Sequence, residues 1–128
     1  MKKPSDTNFS LKSRIKSFGF AFRGIFTAFK SGYNLWIQSF VGLLVILAGI
    51  WLEVNKIEWL ILLICIGMVL SAEIVNTAIE NLVDLVSPDY NKKAGQVKDL
   101  AAGAVLVLSI TAAVIGLLIF IPRLMNLL

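Results

Sequence analysis

Three long apolar stretches divide the chain and predict three membrane-spanning helices. Residues 35–52 and 59–72 carry no charge, and residues 100–122 are uncharged over more than one membrane thickness. We place the spans at residues 35–52, 57–86 and 98–121 of a single membrane domain, residues 1–128. Trp36, Trp51 and Trp59 lie at the ends of these stretches, where amphipathic rings favour the headgroup level. The pattern therefore predicts an all-α membrane protein.

A different pattern precedes the first span. Through residues 9–30 apolar side chains recur at three- and four-residue steps, and basic side chains form a stripe one position over. Six of the eight phenylalanines of the chain lie in this segment. A basic amphipathic helix of this kind lies in the membrane interface, with its rings in the acyl boundary. We expect such a helix over residues 8–31, either as an anchor or as part of a lipid-binding site.

Composition and charge narrow the classes of function. With 58% hydrophobic and 16% charged residues, the chain is too apolar for a water-soluble domain, which has roughly 25% charged residues. The absence of histidine and the single Cys65 exclude histidine catalysis, zinc sites and CxxC redox chemistry. Basic residues gather before the first span and between the second and third. The positive-inside rule therefore places the N-terminus and that loop in the cytoplasm and the C-terminus outside.

Polar side chains on the second span form the first candidate site. The carboxylate stripe comprises Glu73, Asn76, Thr77, Glu80 and Asp84, whose spacing puts them on one helical face. A helix from Trp59 to Val86 is about 42 Å long, against a hydrocarbon core of about 30 Å. Glu73 is then roughly 10 Å deeper in the membrane than Glu80. Charges at such depth are energetically costly and are typical of functional sites. The alternative is that these polar side chains only hold neighbouring helices together.

The start of the third span adds complementary groups at about the level of Glu80. Gly95, Lys98 and Asp99 lie close together there. A lysine near a helix N-terminus attracts phosphate, and carboxylates at the same level can hold Mg²⁺. Neither GxxxxGK[ST] nor GxGxxG, the usual nucleotide-binding loops, occurs in the chain. The residues indicate phosphoryl transfer at the membrane surface and leave an ion or proton pathway as the alternative.

Two segments carry a resemblance to a known family. The sequence EIVNTAIE at 73–80, followed by Asp84 and by GQVKDLAAGA at 95–104, resembles the prokaryotic diacylglycerol kinase family, which includes the undecaprenol kinases. The resemblance covers nearly the whole chain. It implies a homotrimer of the inner (cytoplasmic) membrane that transfers the γ-phosphate of MgATP to a lipid alcohol. The product would be undecaprenyl phosphate or phosphatidic acid, and no nucleic acid partner is expected.

The resemblance also implies roles for individual residues. Glu73 corresponds to the general base, and Glu80 corresponds to a ligand of Mg²⁺. The implied cofactor-binding residues, with ATP as co-substrate, are Asn76, Glu80, Asp84, Gly95, Lys98 and Asp99. One position departs from the family pattern, because Gly32 stands where a second metal-binding glutamate is usual. The alternative is therefore a non-enzymatic membrane protein, either an ion or proton pathway or an inactive family member.

Overall fold

The computed structural model describes residues 9–128, and this part of the chain folds into four helices without a strand. The helices are α1 (Leu11–Lys30), α2 (Asn34–Trp51), α3 (Lys56–Val86) and α4 (Lys92–Leu127). Helices α2, α3 and α4 are each long and apolar enough to cross a membrane. The predicted all-α class is confirmed, and the chain is an integral membrane protein. Residue 8 of the expected first helix and the basic residues Lys2 and Lys3 lie outside the described residues.

Helix α3 is the centre of the fold. Helices α2 and α4 both pack along it, and α1 contacts α2 and α3. A capping box begins α3, in which the Asn55 side chain accepts from the Glu58 backbone and Glu58 accepts from the Asn55 backbone. We call the α2–α3 connection the turn end of the bundle and the α3–α4 connection the loop end.

Glycines allow α2 to lie close to α3 near the turn end. A Cβ atom built on Gly49 would lie 2.7 Å from the ring of Trp59, which is closer than carbon atoms approach each other. One built on Gly42 would lie 3.2 Å from Ile66. Small residues permit this kind of helix contact inside a membrane. The close approach at Gly49 therefore holds the end of α2 against the start of α3.

Helix α4 begins well before residue 98, where its membrane span was predicted to start. The Asn91 side chain caps the helix by accepting from the backbone of Lys93 at 2.9 Å and of Ala94 at 3.2 Å. Pro88 lies three residues before this cap, in the short connection. The lysines that marked the segment as a connection are themselves compatible with a helix in water. As a result, Gly95, Lys98 and Asp99 lie in the first turns of one continuous helix.

Helix α1 is joined to α2 by an aromatic corner. The Trp36 indole N–H donates to the backbone carbonyl of Phe29 at 2.9 Å, and the two rings meet edge to face with centroids 4.8 Å apart. Near the end of α1 the Lys30 ammonium group lies over the Phe26 ring, 4.5 Å from its centroid. Phe22 and its neighbours along α1 are exposed. Placement of this helix in the membrane interface stays a prediction.

Very few side chains are buried within one copy of the chain. Among residues 9–128 the buried apolar side chains are Ala28, Leu35, Val54, Leu62 and Val105. Two polar side chains, Glu73 and Asn76, are as enclosed as these, each only 5% exposed. Large apolar side chains cover the outside of all four helices, which suits contact with lipid or with other helices. The most protected interior of the chain is therefore partly polar.

Candidate active site

Glu73 lies at the centre of the polar interior, where α2 faces α3. The side-chain amide of Gln38 on α2 donates from Nε2 to Glu73 Oε2 at 3.1 Å. Across the described residues this is the one hydrogen bond made to the carboxylate. The antiparallel packing brings the two together, and α3 then continues about nine residues, or roughly 14 Å, past the start of α2 toward the loop end.

One turn further along α3, Asn76 and Glu80 form a second pair. Asn76 Nδ2 donates to Glu80 Oε1 at 3.2 Å, since side chains four residues apart are neighbours on a helix surface. This leaves the Asn76 carbonyl oxygen buried, without a hydrogen-bond partner among residues 9–128. The same is true of Gln38 Oε1. A buried acceptor without a donor costs about 1–3 kcal/mol, so both atoms favour a ligand or water at this place.

Thr77 shares the face of the carboxylate stripe but is otherwise engaged. Its hydroxyl donates to the backbone carbonyl of Glu73, one turn earlier, at 3.0 Å. This local bond is common for threonine inside helices and occupies the hydroxyl hydrogen. Within the carboxylate stripe, Glu73, Asn76 and Glu80 therefore remain as the candidate reactive and ligand-binding residues. Thr77 hydrogen-bonds to the backbone of its own helix.

At the loop end, Asp84 and Lys98 join α3 to α4. Lys98 Nζ donates to Asp84 Oδ1 at 2.5 Å, and the side chains are 38% and 63% exposed respectively. An exposed pair of this kind stabilises a fold by only about 0–1 kcal/mol. The pair instead positions a cation of α4 beside Asp84, near the end of α3. The lysine is available to a phosphate that approaches from solution.

Two of the predicted residues are not brought to this group within one copy of the chain. Asp99 lines a shallow groove formed by α4 residues alone, beside Gln96 and Gly103. Gly95 faces open space, since a Cβ atom there would meet nothing within 4 Å. Gly32, in the connection between α1 and α2, is equally open. Residues placed this way are free to face a substrate or a neighbouring copy.

The donor set fits Mg²⁺ only if phosphates complete it. In the part of the chain that the structure describes, no three carboxylate, cysteine or histidine side chains converge as a metal site would require. Mg²⁺ in phosphoryl-transfer sites is commonly held by one or two carboxylates, substrate phosphates and water. The Glu80 carboxylate can supply such a ligand, and the unpaired Asn76 Oδ1 can accept from a water of the ion. The residues present therefore fit a phosphate-bound ion.

Gln38 is the site residue that sequence reasoning did not assign. It is half-buried, and its partner is 35 positions away in the chain. The available signal was a long amide side chain in an otherwise apolar span, since such a group needs a polar partner. The identity of that partner depends on how α2 and α3 are aligned. Spacing within one helix does not reveal that alignment.

Comparison with known proteins agrees with the resemblance seen in the motifs. The family model described as prokaryotic diacylglycerol kinase matches residues 19–120. An undecaprenol kinase of Bacillus subtilis (strain 168) is 40% identical over 85% of this chain and 89% of its own length. A diacylglycerol kinase of Synechocystis is 38% identical over 87% of this chain and 64% of its own. A diacylglycerol kinase of Escherichia coli (strain K12) is 30% identical over 78% of this chain and 82% of its own.

The chain therefore belongs to the prokaryotic diacylglycerol kinase family, and the predicted resemblance is confirmed. The motifs predict a lipid kinase, and the names of these relatives support that prediction. An ion or proton pathway has no comparable support.

Proposed function

We propose that this member of the family transfers the γ-phosphate of MgATP to the hydroxyl group of a membrane lipid alcohol. The observation that carries the proposal is the enclosed Glu73 carboxylate on a membrane-spanning helix, with Glu80 two turns closer to the loop end. A carboxylate at that depth can meet a hydroxyl that arrives from the bilayer. The second carboxylate lies where a nucleotide from solution can reach.

In the proposed reaction, Glu73 accepts the proton of the lipid hydroxyl. The hydroxyl oxygen forms a bond to the γ-phosphorus, and the bond from that phosphorus to the oxygen bridging to the β-phosphate breaks. ADP leaves with the electron pair of the broken bond, and the proton passes from Glu73 to solvent. Positioning and electrostatic stabilisation account for most of the rate enhancement in phosphoryl transfer.

The remaining site residues bind and orient the nucleotide in this proposal. Glu80 would hold Mg²⁺, which would neutralise phosphate charge, and the Asn76 carbonyl oxygen would accept a hydrogen bond from a water of the ion. Lys98 donates a hydrogen bond to a phosphate, and Asp84 keeps the lysine side chain in position. Gly95 and Asp99 also belong to the nucleotide site. Because α4 directs them away from α3, we place their contacts with nucleotide at the junction with a neighbouring copy.

The assembly and its placement in the membrane complete the proposal. The family resemblance implies a homotrimer, and neighbouring copies would cover part of the extensive apolar surface of one copy. The basic residues support an N-terminus and an α3–α4 loop on the cytoplasmic side of the inner membrane, with the C-terminus outside. Exposed phenylalanines and cations on α1 support its placement in the cytoplasmic interface.

Undecaprenol is the first lipid alcohol to test, and diacylglycerol is the second. The relative named as an undecaprenol kinase shares 40% identity with this chain, against 38% and 30% for the two diacylglycerol kinases compared above. The corresponding products are undecaprenyl phosphate and phosphatidic acid. Both alcohols present a hydroxyl group from the bilayer, so the same base serves either.

The test is a lipid kinase assay with the purified full-length chain in detergent micelles. Labelled ATP and Mg²⁺ are supplied with undecaprenol or diacylglycerol, and labelled lipid is measured after extraction. We expect labelled undecaprenyl phosphate at a higher kcat/KM than labelled phosphatidic acid. Absence of labelled product from both alcohols contradicts the proposed function, and a preference for diacylglycerol contradicts only the choice of substrate.

A further inference from the structure

Gln38 has a role that neither the sequence motifs nor the family assignment gives it. We propose that Gln38 is the positioning residue that orients the Glu73 carboxylate for proton transfer, an inference that rests on the proposed function. The supporting contact is the 3.1 Å hydrogen bond from Gln38 Nε2 to Glu73 Oε2. With one carboxylate oxygen held by this bond, the other is directed to the lipid hydroxyl.

The chemistry of an amide suits this task better than that of a cation. A lysine or arginine beside a carboxylate strongly favours its charged form and opposes proton uptake. Helix α2 carries no charged residue, and the described residues make no salt bridge to Glu73. The next charged residue on α3 is Glu80, two turns away, and Asp84 and Lys98 are paired with each other nearer the loop end. A neutral donor therefore fixes the geometry of the base without supplying a countercharge.

The amide oxygen of Gln38 can also act after proton transfer, as a hydrogen-bond acceptor. Gln38 Oε1 is buried and has no hydrogen-bond partner within residues 9–128. An ionised carboxylate only accepts hydrogen bonds, whereas a protonated one also donates. Once the other oxygen of Glu73 has taken the proton, half-turns of the carboxyl group and of the amide bring the new O–H to Gln38 Oε1. Gln38 can thus hydrogen-bond both protonation states of the base.

The surroundings of Gln38 allow this role to be separated from packing. Gln38 also lines an apolar groove of about 510 Å³ between α2, α3 and α4, together with residues such as Val41 and Phe120. A leucine in its place would meet apolar neighbours and leave no buried amide to satisfy. The Gln38→Leu substitution removes both the hydrogen bond to Glu73 and the unpaired amide oxygen, and these opposing effects should leave the thermal stability of the chain nearly unchanged.

The experiment compares kcat, KM for ATP and the midpoint of thermal unfolding among variants of the full chain in micelles. We expect Gln38→Leu to lower kcat by about 10- to 100-fold, because small misplacement of a reacting group has effects of this size. KM for ATP should stay within about twofold, since binding of nucleotide is untouched. Ser39→Ala, on the neighbouring half-buried residue of α2, is the matched control and should retain wild-type kcat.

Two further substitutions distinguish a donor from a group of the right size. Gln38→Glu keeps the length of the side chain but sets a carboxylate against Glu73, and should be at least as slow as Gln38→Leu. Gln38→His, assayed at pH 8 where imidazole is neutral, restores an N–H donor and should recover part of the lost kcat. A purely structural residue would show the reverse order, with the closest match in size retaining the most activity.

The outcomes separate failure of this inference from failure of the proposed function. If wild-type protein is active, Glu73→Gln is inactive and Gln38→Leu keeps wild-type kcat, only the role of Gln38 is overturned. A parallel fall of kcat and of the unfolding midpoint in Gln38→Leu, with no recovery in Gln38→His, also overturns it. Inactive wild-type protein overturns the proposed function and this inference together.

Discussion

Two polar clusters lie at different levels of α3 and differ in how completely they are paired. The turn cluster consists of Arg123 on α4, Glu58 on α3 and the backbone carbonyls of Leu52 and Glu53. Arg123 donates to Glu58 Oε2 from Nε at 2.8 Å and approaches it from Nη2 at 2.6 Å. Its Nη1 donates to the carbonyls of Glu53 at 2.9 Å and Leu52 at 3.2 Å. The guanidinium group of Arg123 therefore has hydrogen-bond acceptors for all three of its nitrogen atoms.

The site cluster, Gln38 with Glu73, Asn76 and Glu80, is built differently. It is more enclosed, yet within residues 9–128 it contains two buried acceptor atoms without donors. A network whose members are all paired rigidifies a fold, whereas an incompletely paired one is costly unless something else completes it. The difference between the clusters fits a structural role for the turn cluster and the proposed substrate-binding role for the site cluster. Substitutions should therefore separate stability from catalysis.

Replacement of Glu73 should have the largest effect on catalysis. Glu73→Gln keeps the size of the side chain but removes the base, and we expect kcat to fall by about 10²- to 10⁴-fold. Binding of ATP analogues, measured as protection against thermal unfolding in the presence of Mg²⁺, should remain. Wild-type turnover in this variant would show that Glu73 is not the base.

Replacement of Glu80 should affect nucleotide binding more than proton transfer. Glu80→Gln should raise KM for MgATP by about tenfold, with a higher Mg²⁺ concentration needed for half-maximal rate. Thr77→Val is the matched control, because the Thr77 hydroxyl bonds only to its own helix backbone in the described chain. An unchanged requirement for Mg²⁺ in the Glu80 variant would place the metal ligand elsewhere.

Disruption of the turn cluster should reduce the stability of the fold and leave kcat unchanged. Arg123→Gln leaves Glu58 and two carbonyls without their donor, so the free energy of unfolding should fall by about 1–3 kcal/mol. The measurement is thermal unfolding in detergent, alongside kcat per folded molecule at a temperature below the transition. A large loss of kcat with unchanged stability would remove the distinction between the two clusters.

The smallest effect is expected from the exposed pair at the loop end. Asp84→Asn weakens the hold on Lys98 and should change the free energy of unfolding by less than about 1 kcal/mol. KM for ATP should rise by about two- to threefold, because the lysine is no longer held at the phosphate position. Steady-state kinetics at low and high salt checks this, since screening reduces the difference between wild type and variant.

Sequence patterns predicted those features that depend on one helix at a time. The three spans, the shared face of Glu73 and Glu80, and the family follow from hydropathy, helical spacing and motifs. Features that depend on the alignment of two helices were not predictable in this way. The pairing of Gln38 with Glu73 and the contact of Arg123 with Glu58 bridge 35 and 65 positions of sequence. Residues 92–97 belong to α4 although they precede the predicted third span, because the capped first turns of the helix are polar.

The contact between Gly49 and Trp59 controls the tilt of α2 relative to α3. Gly49 lies eleven residues from Gln38, which is about 16 Å along the helix axis, and it touches the ring with no room for a methyl group. If a larger side chain there tilted α2 by about 10°, Gln38 would swing by nearly 3 Å, about the length of its hydrogen bond to Glu73. The glycine at the turn end thus controls the position of the Gln38 amide relative to Glu73, the proposed base.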